Sequence, residues 1–135
     1  MPGEQILIFI EINEAYKISY FKEQLDWVKK SLSGVQLIDF DNFSEAFIIN
    51  KAIEVIKEAD KIFVLIDQKN STIEPGSLIR FMTTLVRQKN KKIKILLNGN
   101  NALLEKVSKT LGKDHFYQNI SMEDQKELIK EFFTD

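Results

Sequence analysis

The sequence lacks cysteine, and it has one histidine, five glycines and two prolines among 135 residues. Without cysteine there is no disulfide, no thiol nucleophile and no cysteine-ligated metal. The single histidine, His115, excludes a zinc site built from several histidines. Any catalytic chemistry in this chain would therefore rest on carboxylates.

A charge excess and long apolar runs are also missing. The chain has 19 Lys and Arg against 20 Asp and Glu. This balance gives no overall attraction to nucleic acid or to an anionic membrane, so we expect neither as a partner. Charged residues interrupt every apolar run well before 18 residues, which predicts no membrane span. No basic stretch precedes Ile6, so we expect no signal peptide and a cytoplasmic protein.

What the sequence does have is a regular alternation of short apolar runs and helical patterns. The apolar runs predict strands at 6–12, 35–40, 62–66, 93–97 and 115–118. Helical periodicity predicts helices over about 14–33 and 44–59, and three more that begin near Pro75, Leu103 and Ser121. The expected inward residues are Leu78, Ile79, Met82, Leu85 and Val86 in the third helix, and Leu103, Leu104, Val107 and Leu111 in the fourth.

Five successive β/α units predict an α/β domain over 1–135, with a parallel sheet between two layers of helices. Right-handed crossovers and the short chain favour the flavodoxin-like strand order 2-1-3-4-5 in a three-layer α/β/α fold. The second and fifth strands are the most polar, which agrees with their places at the two edges of this order.

Ligands of such sheets bind beyond the carboxyl ends of the strands, beside the switch point between strands one and three. The candidate ligand-binding residues expected there are Asn13, Asp67, Glu74, Arg80 and Asn98. The loop from Asp67 to Glu74 has about eight residues, longer than the common β/α connection, and is the best candidate for a functional loop. Asn, Asp and Ser also cap helices and form turns, so a structural role is the alternative for each rim residue.

Several site signatures are missing. There is no G-x-G-x-x-G turn, no Walker sequence and no G-x-S-x-G elbow, so we expect no cofactor and no serine hydrolase site. The strongest charge run, at 87–94, is basic and lies at the end of the sheet opposite the predicted ligand rim. It is interpreted as a solvated turn, with a patch for nucleic acid or for an acidic partner as the alternative. Two ends of unlike charge would suit head-to-tail association.

The stretch IINKAIEVIKEADKIFVLID at 48–67 resembles the middle of a TIR (Toll/interleukin-1 receptor) domain, where an amphipathic helix runs into an apolar strand. It is also similar to nucleoside 2-deoxyribosyltransferase-like proteins. The resemblance covers roughly residues 40–85. It implies a flavodoxin-like fold and, for TIR-like modules, function largely through homotypic association.

Both families place a catalytic glutamate early in the third helix, where it cleaves an N-glycosidic bond. Aligning the two family patterns places Arg80 or Ser77 at that position, and neither is a carboxylate. A guanidinium would repel the oxocarbenium cation. Glu74 precedes the helix and is a weak catalytic candidate, since it substitutes only if the alignment shifts by several residues.

The segments 60–67 and 115–121 are similar to parts of response-regulator receiver domains, in which Asp67 would be the phosphoacceptor. A receiver also needs an acidic pair after strand one, a Ser or Thr after strand four and a Lys after strand five. The corresponding positions hold Ile12 and Asn13, then Asn98, then Gln118 or Asn119. Mg²⁺ would have too few oxygen ligands, so we expect neither a metal site nor phosphotransfer.

These patterns predict a small non-catalytic signalling or protein-interaction domain of TIR-like fold, with a second copy or another protein as partner. The alternative is a nucleotide- or nucleoside-binding protein, or an N-glycosidase or deoxyribosyltransferase-like enzyme, acting at the carboxyl ends of the strands. A scaffold or regulatory piece of a larger complex is a third interpretation, which the sequence does not separate from the first.

Overall fold

The computed structural model describes residues 4–13, 23–68, 76–88 and 90–134. The strands are β1 (Gln5–Ile12), β2 (Val35–Asp41), β3 (Lys61–Gln68), β4 (Lys92–Asn98) and β5 (Phe116–Gln118). The helices are α1 (Glu23–Ser31), α2 (Ala46–Glu58), α3 (Leu78–Val86), α4 (Ala102–Lys109) and α5 (Met122–Thr134).

The five strands form one parallel sheet in the order β2-β1-β3-β4-β5. The predicted α/β class and strand order are therefore confirmed. The helices α2, α3 and α4 pack on one face, and α1 and α5 pack on the other. The result is a three-layer, flavodoxin-like fold in which all strands end at the same edge of the sheet.

Both faces of the central strands are buried, as their continuous apolar sequences predict. Successive side chains of a strand point to opposite faces, so β1 supplies two cores. Ile6, Ile8 and Ile10 pack with α2, α3 and α4. Leu7 and Phe9 pack with α1 and α5. Full burial of such side chains stabilises the fold by about 1.5–3 kcal/mol each.

The edge strands are more exposed than the central ones. Most residues of β2 are only partly buried or exposed, and β5 has just three residues, all partly buried. Their predicted edge positions are confirmed. Because β5 begins at Phe116, its pairing covers only the second half of β4, from Ile95 to Leu97.

The third strand is longer than predicted. Asp67 and Gln68, expected at the start of a loop, are the last two residues of β3. Pairing with β1 continues to Gln68, which extends the strand past the apolar run. The remainder of that loop, 69–75, lies outside the described residues, as does the predicted first part of helix one, 14–22.

Two predicted helix faces need correction. Phe81, omitted from the inward stripe of α3, is fully buried, and its ring meets Phe40 edge-on with centroids 5.4 Å apart. Leu103, predicted to face inward, is 45% exposed. The inward face of α4 is set by Leu104 and Ser108, four residues apart, and Leu103 lies about 100° away from Leu104 around the helix.

The predicted start of the last helix is confirmed. Ser121 accepts a hydrogen bond at its Oγ from the backbone N–H of Asp124, at 3.1 Å, which satisfies one free donor of the first turn of α5. In the part of the chain that the structure describes, no helix combines the length and apolar content needed to cross a bilayer.

Candidate functional site at the carboxyl ends of the strands

The carboxyl rim comprises the described residues where the strands end: 11–13, 41–44, 67–68 and 98–101. Parallel pairing brings three of the predicted site residues, Asn13, Asp67 and Asn98, to this edge. Arg80 is not among them, since it lies on α3. Glu74, the weak catalytic candidate, lies outside the described residues.

Four polar residues form a row across the rim. Asp41 pairs with Glu11, Glu11 pairs with Asp67, and Asp67 pairs with Asn98 on adjacent strands. Neighbouring strands lie about 4.8 Å apart, so the four side chains project side by side toward the α1–α5 face. All four are half-buried. The three carboxylates make the row acidic and disfavour a phosphate group there.

The acidic row was not predicted as a unit, and Glu11 was not a predicted site residue. From the sequence, each of these residues was considered only with the loop that follows its own strand. The register of the strands places the four residues side by side. Across the described ranges, no three His, Cys, Asp or Glu side chains are arranged to hold a metal ion.

The first and second rim segments are tied together by asparagines. The Asn42 Oδ1 accepts from the Asn13 backbone N–H at 2.9 Å, and Asn42 Nδ2 donates to the Asn13 backbone carbonyl at 3.0 Å. The Asn13 side chain itself lies 3.5 Å from Glu11 Oε2. Asn13 therefore helps to hold the end of β1 against the end of β2.

The segment after β2 is a tight turn held by its own side chains. Asp41 Oδ1 accepts from the Phe43 backbone N–H at 2.8 Å, and the Asp41 backbone N–H donates to Ser44 Oγ at 3.1 Å. This is the turn-forming alternative considered for Asp and Ser from sequence. Its effect is to fix the entry into α2.

Asn98, the predicted ligand contact after β4, is paired with a helix. Asn98 and Gln125 donate to each other through their amides, at 3.2 and 3.0 Å. Gln125 also donates to the Ile120 carbonyl and accepts from Gln24, both at 3.0 Å. This amide cluster joins β4, α5 and α1, so Asn98 serves the packing of these elements.

A second amide pair anchors the start of α4. Asn101 Oδ1 accepts from the Leu104 backbone N–H at 3.1 Å, and the Asn101 backbone N–H donates to Glu105 Oε2 at 3.0 Å. The arrangement resembles a capping box, with the glutamate one position later than usual. Asn101 Nδ2 reaches Gln68 Oε1 at 3.1 Å, and both residues are buried. Asn101 thus has the helix-capping role that is common for an asparagine after a strand.

Gly99 brings the loop after β4 very close to β3. A Cβ on Gly99 would lie 2.0 Å from the Gln68 backbone carbonyl oxygen, and the glycine has φ +120°. Asn119 Oδ1 accepts from the Gly99 N–H at 2.7 Å, and Gln118 Nε2 donates to the Gly99 carbonyl at 3.0 Å. The loop after β4 is thus held by close packing against β3 and by hydrogen bonds with residues at the end of β5.

The buried glutamines were the residues that sequence reasoning missed. Gln24, Gln68 and Gln125 are each less than 8% exposed, and each bonds another side-chain amide. One signal was available: Gln125 precedes Ile129 by four residues and so lies on the inward stripe of α5. A polar residue on such a stripe predicts a buried hydrogen-bond partner.

Arg80 belongs to a different surface. It is exposed, and its Nη2 donates to Asn50 Oδ1 of α2 at 2.6 Å. Phe43 and Phe47, at the turn into α2, are 44% and 67% exposed. We call Phe43, Phe47, Asn50 and Arg80 the α2–α3 patch.

Comparison with known proteins assigns no family. No protein-family model, no curated protein and no solved structure matches this chain. The resemblances to TIR, deoxyribosyltransferase-like and receiver domains therefore stay predictions from sequence.

Proposed function

We propose that this protein is a small protein-interaction domain whose partner docks on the α2–α3 patch. The observation that carries the proposal is the exposure of Phe47, 67% in the first turn of α2, beside the 44% exposed Phe43. Aromatic and arginine side chains are enriched at the cores of protein interfaces. An arginine and two phenylalanines on one surface fit that composition.

The patch is held in place by contacts within the fold. Phe47 and Asn50 are three residues apart on the same side of α2. Arg80 spans from α3 to Asn50, and Asp41 fixes the backbone of Phe43. The Arg80 and Asn50 side chains, held by their hydrogen bond, lose less conformational entropy on binding, which favours association.

The first partner to test is a second copy of this chain, because the TIR resemblance implies homotypic association. A signalling role belongs to the same proposal. Light scattering from about 10 µM to about 1 mM, the range where weak association is measurable, should show a mass that rises with concentration. Phe47→Ser should weaken association about tenfold, the effect expected when an interface anchor is lost.

Leu103→Ser is the matched control, since Leu103 is also a large, 45% exposed apolar residue but lies on α4. This variant should associate as the parent does. A strict monomer at the highest concentration would contradict self-association. Equal weakening by Phe47→Ser and Leu103→Ser would show that the patch has no special part in it.

A second candidate function is nucleoside binding or N-glycosidic bond cleavage at the carboxyl rim. It is supported by the register that sets Glu11 beside Asp67, because such cleavage uses paired carboxylates. The acidic row favours an uncharged nucleoside over a nucleotide.

A ligand that binds only the native state stabilises it. Millimolar nucleoside should therefore raise the Tm, and Asp67→Asn should abolish the shift; no shift with nucleosides, nucleotides or NAD contradicts this candidate.

A further inference from the structure

A cleft of about 270 Å³ lies at the amino ends of the strands, opposite the carboxyl rim. Its polar lining consists of Lys91, Lys92, Lys94, His115 and Glu131, and Phe132 supplies an apolar wall. Ile93 also borders the cleft, but its side chain packs in the core on the other face of the sheet. The lysines whose side chains are not bonded to α2, Lys92 and Lys94, exceed the single carboxylate of Glu131 by one positive charge. We call this the basic cleft.

The cleft is open because β5 is short. Lys92 donates its backbone N–H to Asp60 on the β3 side, and Ile95 donates to His115 on the β5 side at 2.8 Å. Alternate residues of a parallel strand bond to opposite neighbours, so the Ile93 N–H also points to the β5 side. Strand pairing there starts only at Ile95. A backbone donor thus points past the start of β5 into the region of the cleft.

His115 is fixed at one edge of its ring. Its Nδ1 lies 3.0 Å from the Ile93 carbonyl oxygen. A carbonyl only accepts hydrogen bonds, so Nδ1 carries the proton. The ring is held across the open half of β4, and no group in the described part of the chain bonds Nε2.

No carboxylate in the described part of the chain forms an ion pair with Lys91, Lys92 or Lys94. Lys91 donates to the backbone carbonyls of Lys57 and Ala59, and so lies against the end of α2. Lys94 lies over the Tyr117 ring, 5.3 Å from its centroid. Among the described residues, neither Lys92 nor Glu131 forms an ion pair. The cleft therefore keeps its positive potential.

We propose that the basic cleft binds a small organic oxyanion, a phosphate or carboxylate group carried on an apolar body. The Lys92 and Lys94 ammonium groups and the Ile93 N–H recognise the oxyanion, and Phe132 contacts the apolar part. The cleft volume lies just below the range of drug-sized ligand sites, which suits a small molecule. This site is separate from the α2–α3 patch and does not depend on the proposed interaction function.

The test is a titration followed by ¹⁵N NMR, with phenyl phosphate and benzoate as probes at constant ionic strength. Binding should shift the amide signals of 91–94 and 115, and phenyl phosphate should bind more tightly than inorganic phosphate because of the apolar wall. Lys92→Gln should weaken binding about fivefold, the scale of one exposed ion pair. Glu131→Gln should strengthen it by a similar factor, since it removes the opposing charge.

The control is Lys106→Gln on α4, which lies on the other face of the sheet and should bind as the parent does. Binding of either probe with this pattern supports the site, and the tighter probe identifies phosphate or carboxylate as its preferred group. No shift with either probe overturns the proposal. So does the same loss in Lys92→Gln and Lys106→Gln, or the same shifts on adding sodium chloride alone.

Discussion

The two ends of the sheet use their polar residues in different ways. At the carboxyl rim, Asn98, Asn101 and their glutamine partners bond one another and the loop backbone. In the basic cleft, Lys92 and Glu131 form no ion pair with any residue that the structure describes. The amides of the rim are bonded within the fold, whereas the Lys92 and Glu131 side chains of the cleft are exposed to solvent.

This difference distinguishes side chains that stabilise the fold from side chains that are available to bind a ligand. A buried amide that loses its partner keeps its full desolvation penalty, so the amide pairs of the rim stabilise the native state. Exposed lysines contribute little to folding. Substitutions at the rim should therefore affect stability, and substitutions in the cleft should affect binding.

The largest expected effect is that of Gly99→Ala. The added Cβ would meet the Gln68 carbonyl oxygen at 2.0 Å, a contact that only movement of the backbone relieves. We expect a loss of about 3 kcal/mol or more in the free energy of unfolding, measured by urea denaturation.

The control is Gly34→Ala. Gly34 has φ +77°, and no atom lies within 4 Å of the added Cβ. In this variant the free energy of unfolding should fall only by the conformational cost of a non-glycine residue at positive φ, about 1 kcal/mol. Equal losses in the two variants would mean that the loop after β4 moves away from β3 at little cost, and the rim would not be the rigid end.

A smaller effect is expected for Gln125→Ala. The change removes the partner of Asn98 and Gln24 and leaves a small cavity under α5. The free energy of unfolding should fall by about 2 kcal/mol. Glu127→Ala, on the exposed side of the same helix, should stay within about 0.5 kcal/mol of the parent. If both variants unfold alike, the amide cluster is not part of what stabilises this end.

The fold was predictable because local patterns were strong. Ile62 to Ile66 form a continuous apolar run that only a strand covered on both faces would bury, and such runs recur between helical patterns. Right-handed crossovers and the short chain then favoured the strand order, and the polar second and fifth strands agreed with it. The errors were local: Phe81 was left out of the inward stripe of α3 and Leu103 was wrongly included in that of α4, since neighbouring apolar residues there fit more than one face.

The rim was predictable only in part. Topology placed Asn13, Asp67 and Asn98 at one edge, but the partners of Asn98 come from helices far along the chain. Gln24 and Gln125 meet across 101 residues of sequence, and no local pattern records such a contact. Likewise, the basic run was predicted as a solvated turn. Its position beside Phe132 and Glu131 depends on where α5 ends, and the sequence of the run itself does not indicate this.

The smallest effect on stability is expected for Lys92→Gln. Lys92 is exposed at the start of β4, and its backbone bond to Asp60 does not depend on its side chain. The free energy of unfolding should therefore stay within about 0.5 kcal/mol of the parent, as for most surface substitutions. The same variant should bind the oxyanion about fivefold more weakly, so denaturation and titration on one sample separate the two roles. If Lys92→Gln instead destabilised the protein as much as Gln125→Ala, the lysines of the basic cleft would stabilise the fold as the amides of the carboxyl rim do. The two ends of the sheet would then not differ in role, because a lysine side chain held by contacts within the fold is not available to bind an anion.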